Sequence, residues 1–222
     1  MKKVFFLALG FWLAVCGGLC AFPLEPAAAS GNTEIHRILS DLEKKMQQIE
    51  TLHTHFVQKK QSSLFQREIR LQGSIAMQKP DHFAWRTESP LRYAIVAANG
   101  KISQWDEDTD RVEILSFSSS PVVRMVIEQM QAWFYGAYGA LMDQYEITLV
   151  SKEPLVLKFV PNERGPVSGM IRSVTLRFQA DLSYIESILI EEKNGDHASM
   201  EFTGTVLNSK MDTEVWEVKH GA

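Results

Sequence analysis

The chain predicts a fold of the α+β class, mainly antiparallel β, with about ten strands and two helical insertions. Three observations carry this. Apolar and polar residues alternate in many short runs, the period of strands with one buried face. Turn pairs such as Asn99-Gly100 and Asn194-Gly195 separate those runs at hairpin spacing. Only residues 33–52 and 122–141 carry apolar residues at three-and-four spacing instead, the pattern of a helix with one buried stripe.

Residues 1–29 are set apart as a leader. Lys2 and Lys3 precede an apolar run over 4–19, and Ala27-Ala28-Ala29 offers small residues to a signal peptidase, which places cleavage after Ala29 and one domain over 30–222. An uncleaved anchor is the alternative, because the run approaches spanning length. Lipidation fits poorly: bulky Leu19 precedes Cys20 and Val15 precedes Cys16. Cleavage would remove both cysteines, leaving no disulfide and no cysteine-based zinc site or nucleophile. It would also make the chain one unit more negative than the −4 of the whole sequence. That mild acidity argues against nucleic acid and against electrostatic docking on an anionic membrane. Roughly 190 residues suit one domain with a sizeable core.

In residues 33–52, Ile35, Ile38, Leu39, Leu42, Met46, Ile49 and Leu52 share one helical face; Asn32 or Thr33 is placed to cap it, and Glu34 suits the positive end of its dipole. Residues 53–61 read as a strand around Phe56. In 71–90, Leu71, Gly73, Ile75 and Met77 alternate with polar or small residues, Lys79-Pro80-Asp81 interrupts, and Phe83 and Trp85 resume the alternation until Ser89-Pro90. Residues 93–98 and 101–105 pair through Asn99-Gly100. The acidic 106–110 turn follows, then a strand over 111–117. Serines 118–120 and Pro121 open the second helical stretch, which carries Val122, Val123, Met125, Val126, Ile127, Met130, Trp133, Phe134, Tyr138 and Leu141. Strands resume around Tyr145, Leu155, Val174, Tyr184 and Met200, with a last one expected over 215–218.

Chemistry-bearing clusters are sparse. Asp106-x-Asp108-x-Asp110 begins like a calcium loop but has Arg111 and Phe117 where glycine and glutamate belong, so a solvated turn is expected. His53 and His55 share a strand face without a third ligand nearby. There is no Gly-x-Ser-x-Gly elbow, and Glu191-Glu192 sits at a strand end where exposed charge is the ordinary case. Nothing in these residues positively supports an enzyme, although acid–base pairs can assemble from distant strands, and no metal site is expected. Residues 122–141 are greasier than a surface helix needs to be, and methionine with aromatics makes an adaptable apolar surface. The residues alone lead to an exported, mostly antiparallel protein suited to an apolar ligand.

A leading amphipathic helix, Phe56-x-Gln58, Gly73 in a strand, Lys79-Pro80-x-x-Phe83-x-Trp85, Pro90, Asn99-Gly100 and Trp105 together resemble the LolA family of periplasmic carriers of outer-membrane lipoproteins. The resemblance spans nearly all of 30–222. From Tyr145 through Glu191-Glu192 and Asn194-Gly195-Asp196 to Asn208, the chain is more similar to LolA-related proteins with other lipid-like cargoes. The resemblance implies an incomplete, half-open β-barrel around a hydrophobic cavity, with helices as a lid, in the periplasm of a Gram-negative bacterium. It implies a monomer without catalysis, receiving an acylated lipoprotein or other lipid cargo from an inner-membrane donor complex and passing it to an outer-membrane acceptor. A lipid-binding or sensing module of the envelope is the alternative, and an envelope hydrolase a further one. Phe56, Ile75, Met77, Phe83, Trp85, Met125, Met130, Trp133 and Phe134 are the expected cavity residues. The family typically has arginine at the position of Lys79, hydrogen-bonded to hold the lid shut. Lysine lacks the planar donor fork, so Lys79 implies a weaker latch or an ordinary turn lysine.

Overall fold

Among the described residues, eleven strands form one antiparallel sheet whose two edges do not pair with each other. The computed structural model describes residues 29–62, 68–116, 120–163 and 167–218. The expected leader, except Ala29, lies outside them, as do Ser118, Ser119 and Phe117. In chain order the elements are α1 (Ala29–Met46), β1 (Thr51–Gln61), β2 (Ile69–Gln78), β3 (His82–Ser89), β4 (Tyr93–Ala98), β5 (Lys101–Asp106) and β6 (Arg111–Ser116). Helices α2 (Pro121–Phe134) and α3 (Tyr138–Met142) follow, then β7 (Tyr145–Lys152), β8 (Leu155–Pro161), β9 (Ile171–Phe178), β10 (Ile185–Glu192) and β11 (His197–Leu207). The order β6-β5-β4-β3-β2-β1-β11-β10-β9-β8-β7 makes β1 and β11 the central seam, joining two hairpin-built halves. Among the described residues no helix is long and apolar enough to cross a membrane.

Register decides which side chains share a face. Ile75 lies opposite Trp85 and Met77 opposite Phe83 between β2 and β3, while Phe56 lies opposite Gly73 on one side and Phe202 on the other. These positions, with Ile95, Leu157, Phe159, Leu176, Phe178 and Ile188, turn to the inner face and join one buried cluster with the helices. The sheet is thus an incomplete barrel with its core inside, capped by α1, α2 and α3. The backbone allows this curvature at Gly73, next to a bulge between Gln72 and Gly73: a Cβ there would stand 1.8 Å from the carbonyl oxygen of Arg86.

Four local expectations need correction. Helix α1 runs from Ala29 to Met46, so Asn32 and Thr33 lie within it rather than capping it, and Leu52 belongs to β1. Ile49 and Leu52 are still buried; the apolar stripe simply outlasts the helix, because a turn and a strand carry it onward. The stretch 122–141 is two helices. Gly136, at φ 76°, ends α2 in the left-handed region, and a Cβ at that position would approach the Met46 Cβ to 2.5 Å. Tyr135 and Ala137 donate their amides to the carbonyls of Gln131 and Ala132, which closes the helix end. Ser120 precedes α2 without a side-chain capping bond, although Pro121 does occupy its first turn.

The fourth correction is 215–218, which is no strand. A 3-10 turn at Thr213–Trp216 crosses the outer face, where Met211, Val215, Trp216 and Val218 cover Ala76, Ala84 and Val96. Arg86 straps it down through Nη2, donating to the carbonyls of Val215 at 2.7 Å and Glu217 at 2.6 Å. Small residues on one sheet face left a shallow apolar surface, and residues 211–218 cover it. Alternation in so short a run could not distinguish the two outcomes.

Candidate functional site

The apolar interior is assembled from floor and roof. On the floor, Phe56, Ile75, Met77, Phe83 and Trp85 are all buried, and the rings of Phe56 and Trp85 meet at 4.7 Å. From the roof, α2 contributes buried Met130, Trp133 and Phe134 and half-buried Met125. Roof and floor touch at Phe134 and Phe202, edge to face at 5.1 Å. The structure therefore brings all nine expected side chains into one cluster. Tyr138 on α3, fully buried, adds contacts to Phe159 and Phe178 and donates its hydroxyl to the Trp133 carbonyl at 2.7 Å. Burial pushes its phenol up, as it does that of Tyr145, which rises to about 12.

Lys79 stands where the β2–β3 turn meets the helices. Its Nζ donates to the Gln47 carbonyl at 2.5 Å, lies 3.6 Å from Glu50 Oε1, and sits 5.2 Å from the centroid of the Tyr135 ring. It thus touches both the segment after α1 and the C-terminal end of α2. A cation at the carbonyl end of α1 also suits the helix dipole. Burial, with the Glu50 carboxylate nearby, pushes the Tyr135 phenol up.

Asn208 fastens the same segment from the seam. Its side chain accepts from the Glu50 amide at 2.7 Å and donates to the Gln48 carbonyl at 3.2 Å, and its backbone has φ 54°. Sequence reading did not single out Asn208, Gln47 or Tyr135 as site residues. Nothing local marks them, because Asn208 and Gln48 are brought together across 160 positions of sequence.

The other clusters resolve into local structure. Asp106 accepts from the amide and hydroxyl of Thr109, and Asp110 from the indole of Trp105, so the acidic turn uses its carboxylates on itself. His53 and His55 lie on the outer face with ring centroids 5.3 Å apart. Burial first, then the nearby His55 and Arg86, hold His53 below the usual histidine range. No group of three or more metal-ligating side chains occurs among the described residues. A cleft of about 240 Å³ lies at the β10–β11 turn, lined by Arg172, Glu191, Glu192, Asp196 and His197 among others. Glu191 is held low by the hydroxyl of Ser173 and by Lys158, while burial pushes Glu192 up against the pull of Lys60. Each carboxylate has its own cation, at 3.4 Å from Lys158 and 3.5 Å from Lys60. A lining this charged suits no fatty chain.

An open antiparallel sheet wrapped around an apolar interior and roofed by helices defines a class of half-barrel proteins. The chain belongs to the LolA family: the family model described as outer membrane lipoprotein carrier protein LolA matches residues 47–219. The chain is 22% identical over 213 residues to an outer-membrane lipoprotein carrier protein of Chromohalobacter salexigens, covering 95% of this chain and 94% of that one. It is 35% identical over 74 residues to one of Legionella pneumophila, strain Corby, covering 33% of this chain and 36% of that one. Two solved structures share the fold. The Pseudomonas aeruginosa MucA/MucB complex matches at 12% identity and TM-score 0.51, over 84% of this chain and 61% of that one. An uncharacterized conserved protein from Thermus thermophilus matches at 10% and 0.51, over 82% and 92%.

Proposed function

We propose that the chain is exported, loses residues 1–29, and works in the periplasm as a carrier that shields acyl chains of lipoproteins or related lipids between the inner and outer membranes. The observation that carries this is the single apolar cluster shared by the sheet floor and the α2 roof, closed at one side by Lys79. Burying a fatty chain is worth about 0.8 kcal/mol per methylene, so about fifteen methylenes exposed to water would cost on the order of 12 kcal/mol. A shuttle must cover most of that surface and still release it. A stiff hydrogen-bonded floor beneath a roof with Met125 and Met130 meets both needs: the floor keeps the shape while flexible side chains repack around cargo. Arrival requires the roof to lift, and the Lys79 tether is what holds it down until then. Such a carrier needs no cofactor and works as a monomer, with donor and acceptor at the two membranes.

Native mass spectrometry of the protein purified from the cell envelope tests this directly. Acyl species that co-purify and pass to acceptor vesicles support carriage. Acyl species that bind and are never passed on would make the protein a lipid sensor. An empty protein that turns over ester or glycan substrates would make it a hydrolase.

A further inference from the structure

The roofed interior is not wholly apolar. Trp133 Nε1, Gln129 Nε2 and Gln58 Oε1 are buried with no hydrogen-bond partner among the described residues. Their residues are only 3%, 8% and 5% exposed. Among the described residues, the other buried side-chain atoms without a hydrogen bond, on Arg86, Tyr135 and Glu192, lie at the outer strap, the Lys79 turn and the β10–β11 end, where Glu192 is paired with Lys60. Gln129 and Trp133 are four residues apart on α2 and so share one helix face. The other end of the Gln129 amide accepts from the Tyr145 hydroxyl at 3.0 Å, which fixes its orientation. Gln58 rises from β1 two residues beyond Phe56, opposite Leu71 and Met200 on the inner face. The Phe134–Phe202 contact holds the last turn of α2 over that same β1–β11 seam.

An unpaired buried donor or acceptor is costly, and native structures hold few of them. Filling the interior with hydrocarbon alone would leave these three atoms unpaired. Two are donors and one is an acceptor. A carbonyl oxygen has two lone pairs and takes two donors; an amide N–H supplies the one donor that Gln58 lacks.

Resting on the carrier reading, we propose that Trp133, Gln129 and Gln58 form a polar station that recognises the linkage of the cargo, an acyl chain joined through an amide, with an ester as the weaker match. The hydrocarbon tail then supplies affinity, while the station sets how deep the chain sits and which lipids are accepted. Trp133 and Gln129 donate to the linkage carbonyl, and Gln58 accepts from the amide N–H.

The test is displacement of a bound fluorescent apolar dye from the purified protein by N-methylpalmitamide, methyl palmitate and octadecane. The expected order is amide, ester, alkane, with each hydrogen bond worth roughly three- to tenfold in affinity. Trp133→Phe removes the N–H and keeps a ring, and should cut the amide-over-alkane ratio by about that factor. Because Trp133→Phe also loses packing, Gln58→Met is the second variant. It preserves volume and should cut the ratio similarly. Octadecane binding as well as the amide, or variants that keep the full ratio, would overturn the station and leave the carrier standing. Failure of all three ligands to displace the dye would overturn the carrier, and the station with it.

Discussion

Lys79→Ala should loosen the roof. The substitution removes a charged donor 2.5 Å from the Gln47 carbonyl, an ion pair at 3.6 Å with Glu50, and a cation over the Tyr135 ring. A hydrogen bond from a charged group contributes about 1.5–3 kcal/mol when shielded. The Lys79 side chain is 28% exposed, so the lower half of that range applies. Glu50 is 71% exposed and its pair adds little. The ring contact adds about 0.5–1 kcal/mol. The tether is then worth about 2–3 kcal/mol, and its loss should raise the opening equilibrium by roughly 30- to 150-fold. Hydrogen exchange across 121–142 and 29–46 reads this directly, with Lys44→Ala as the control, since the Lys44–Asp41 pair is largely exposed. Asn208 still holds Gln48 and Glu50, so the loss of protection should spread over α1, α2 and α3 and be smaller in the 47–50 segment itself. Lys79→Arg should restore protection or exceed it, because a planar fork can bond Gln47 while stacking on Tyr135. Unchanged protection of 121–142 in Lys79→Ala would refute the tether.

Other consequences can be measured separately. Gly73→Ala should cost more than about 3 kcal/mol in urea denaturation or prevent folding, because its Cβ meets the Arg86 carbonyl, a backbone atom that cannot rotate away. Arg86→Met should free the strap: proteolysis and exchange across 211–218 should accelerate, while sheet stability shifts by no more than about 1–2 kcal/mol, since the buried guanidinium leaves together with its two carbonyl bonds. The tyrosines set an alkaline limit. Burial holds Tyr145 at about 12 against an ordinary 10.0, so the unfolded chain ionises first. The associated stability is complete below pH about 10 and is lost as pH rises towards 12. The urea midpoint should fall between pH 10 and 12, less steeply in Tyr145→Phe; a flat midpoint would contradict it.

Much of the inner surface was legible because two periods coincide with two geometries. Alternation in 71–77 and 83–85 assigned Ile75, Met77, Phe83 and Trp85 to one side, and the Lys79-Pro80-Asp81 turn kept them in phase across β2 and β3. Where the period ran across a change of element, it misled. Ile49 and Leu52 continue the stripe of α1 without continuing its helix, and Gly136 breaks 122–141 for a reason that lies on α1, at Met46. Gln129 reads as part of the polar remainder of its helix, and only packing shows it enclosed.

The sequence by itself determined the strand-rich class, the hairpin turns, the two amphipathic stretches and, through Lys79-Pro80-x-x-Phe83-x-Trp85 and its neighbours, the family. Those are local properties: each depends on residues a few positions apart, within reach of one turn or one pleat. Tertiary structure alone decided that β1 pairs with β11 as the seam, that residues 211–218 cover the outer face, and that Asn208 and Lys79 grip the same short segment after α1. It also decided which polar atoms are shut away from water. The grips alone join residues 32 to 160 positions apart. No short-range period encodes such contacts, because burial is a property of what finally covers a residue and not of the residue or its neighbours in the chain.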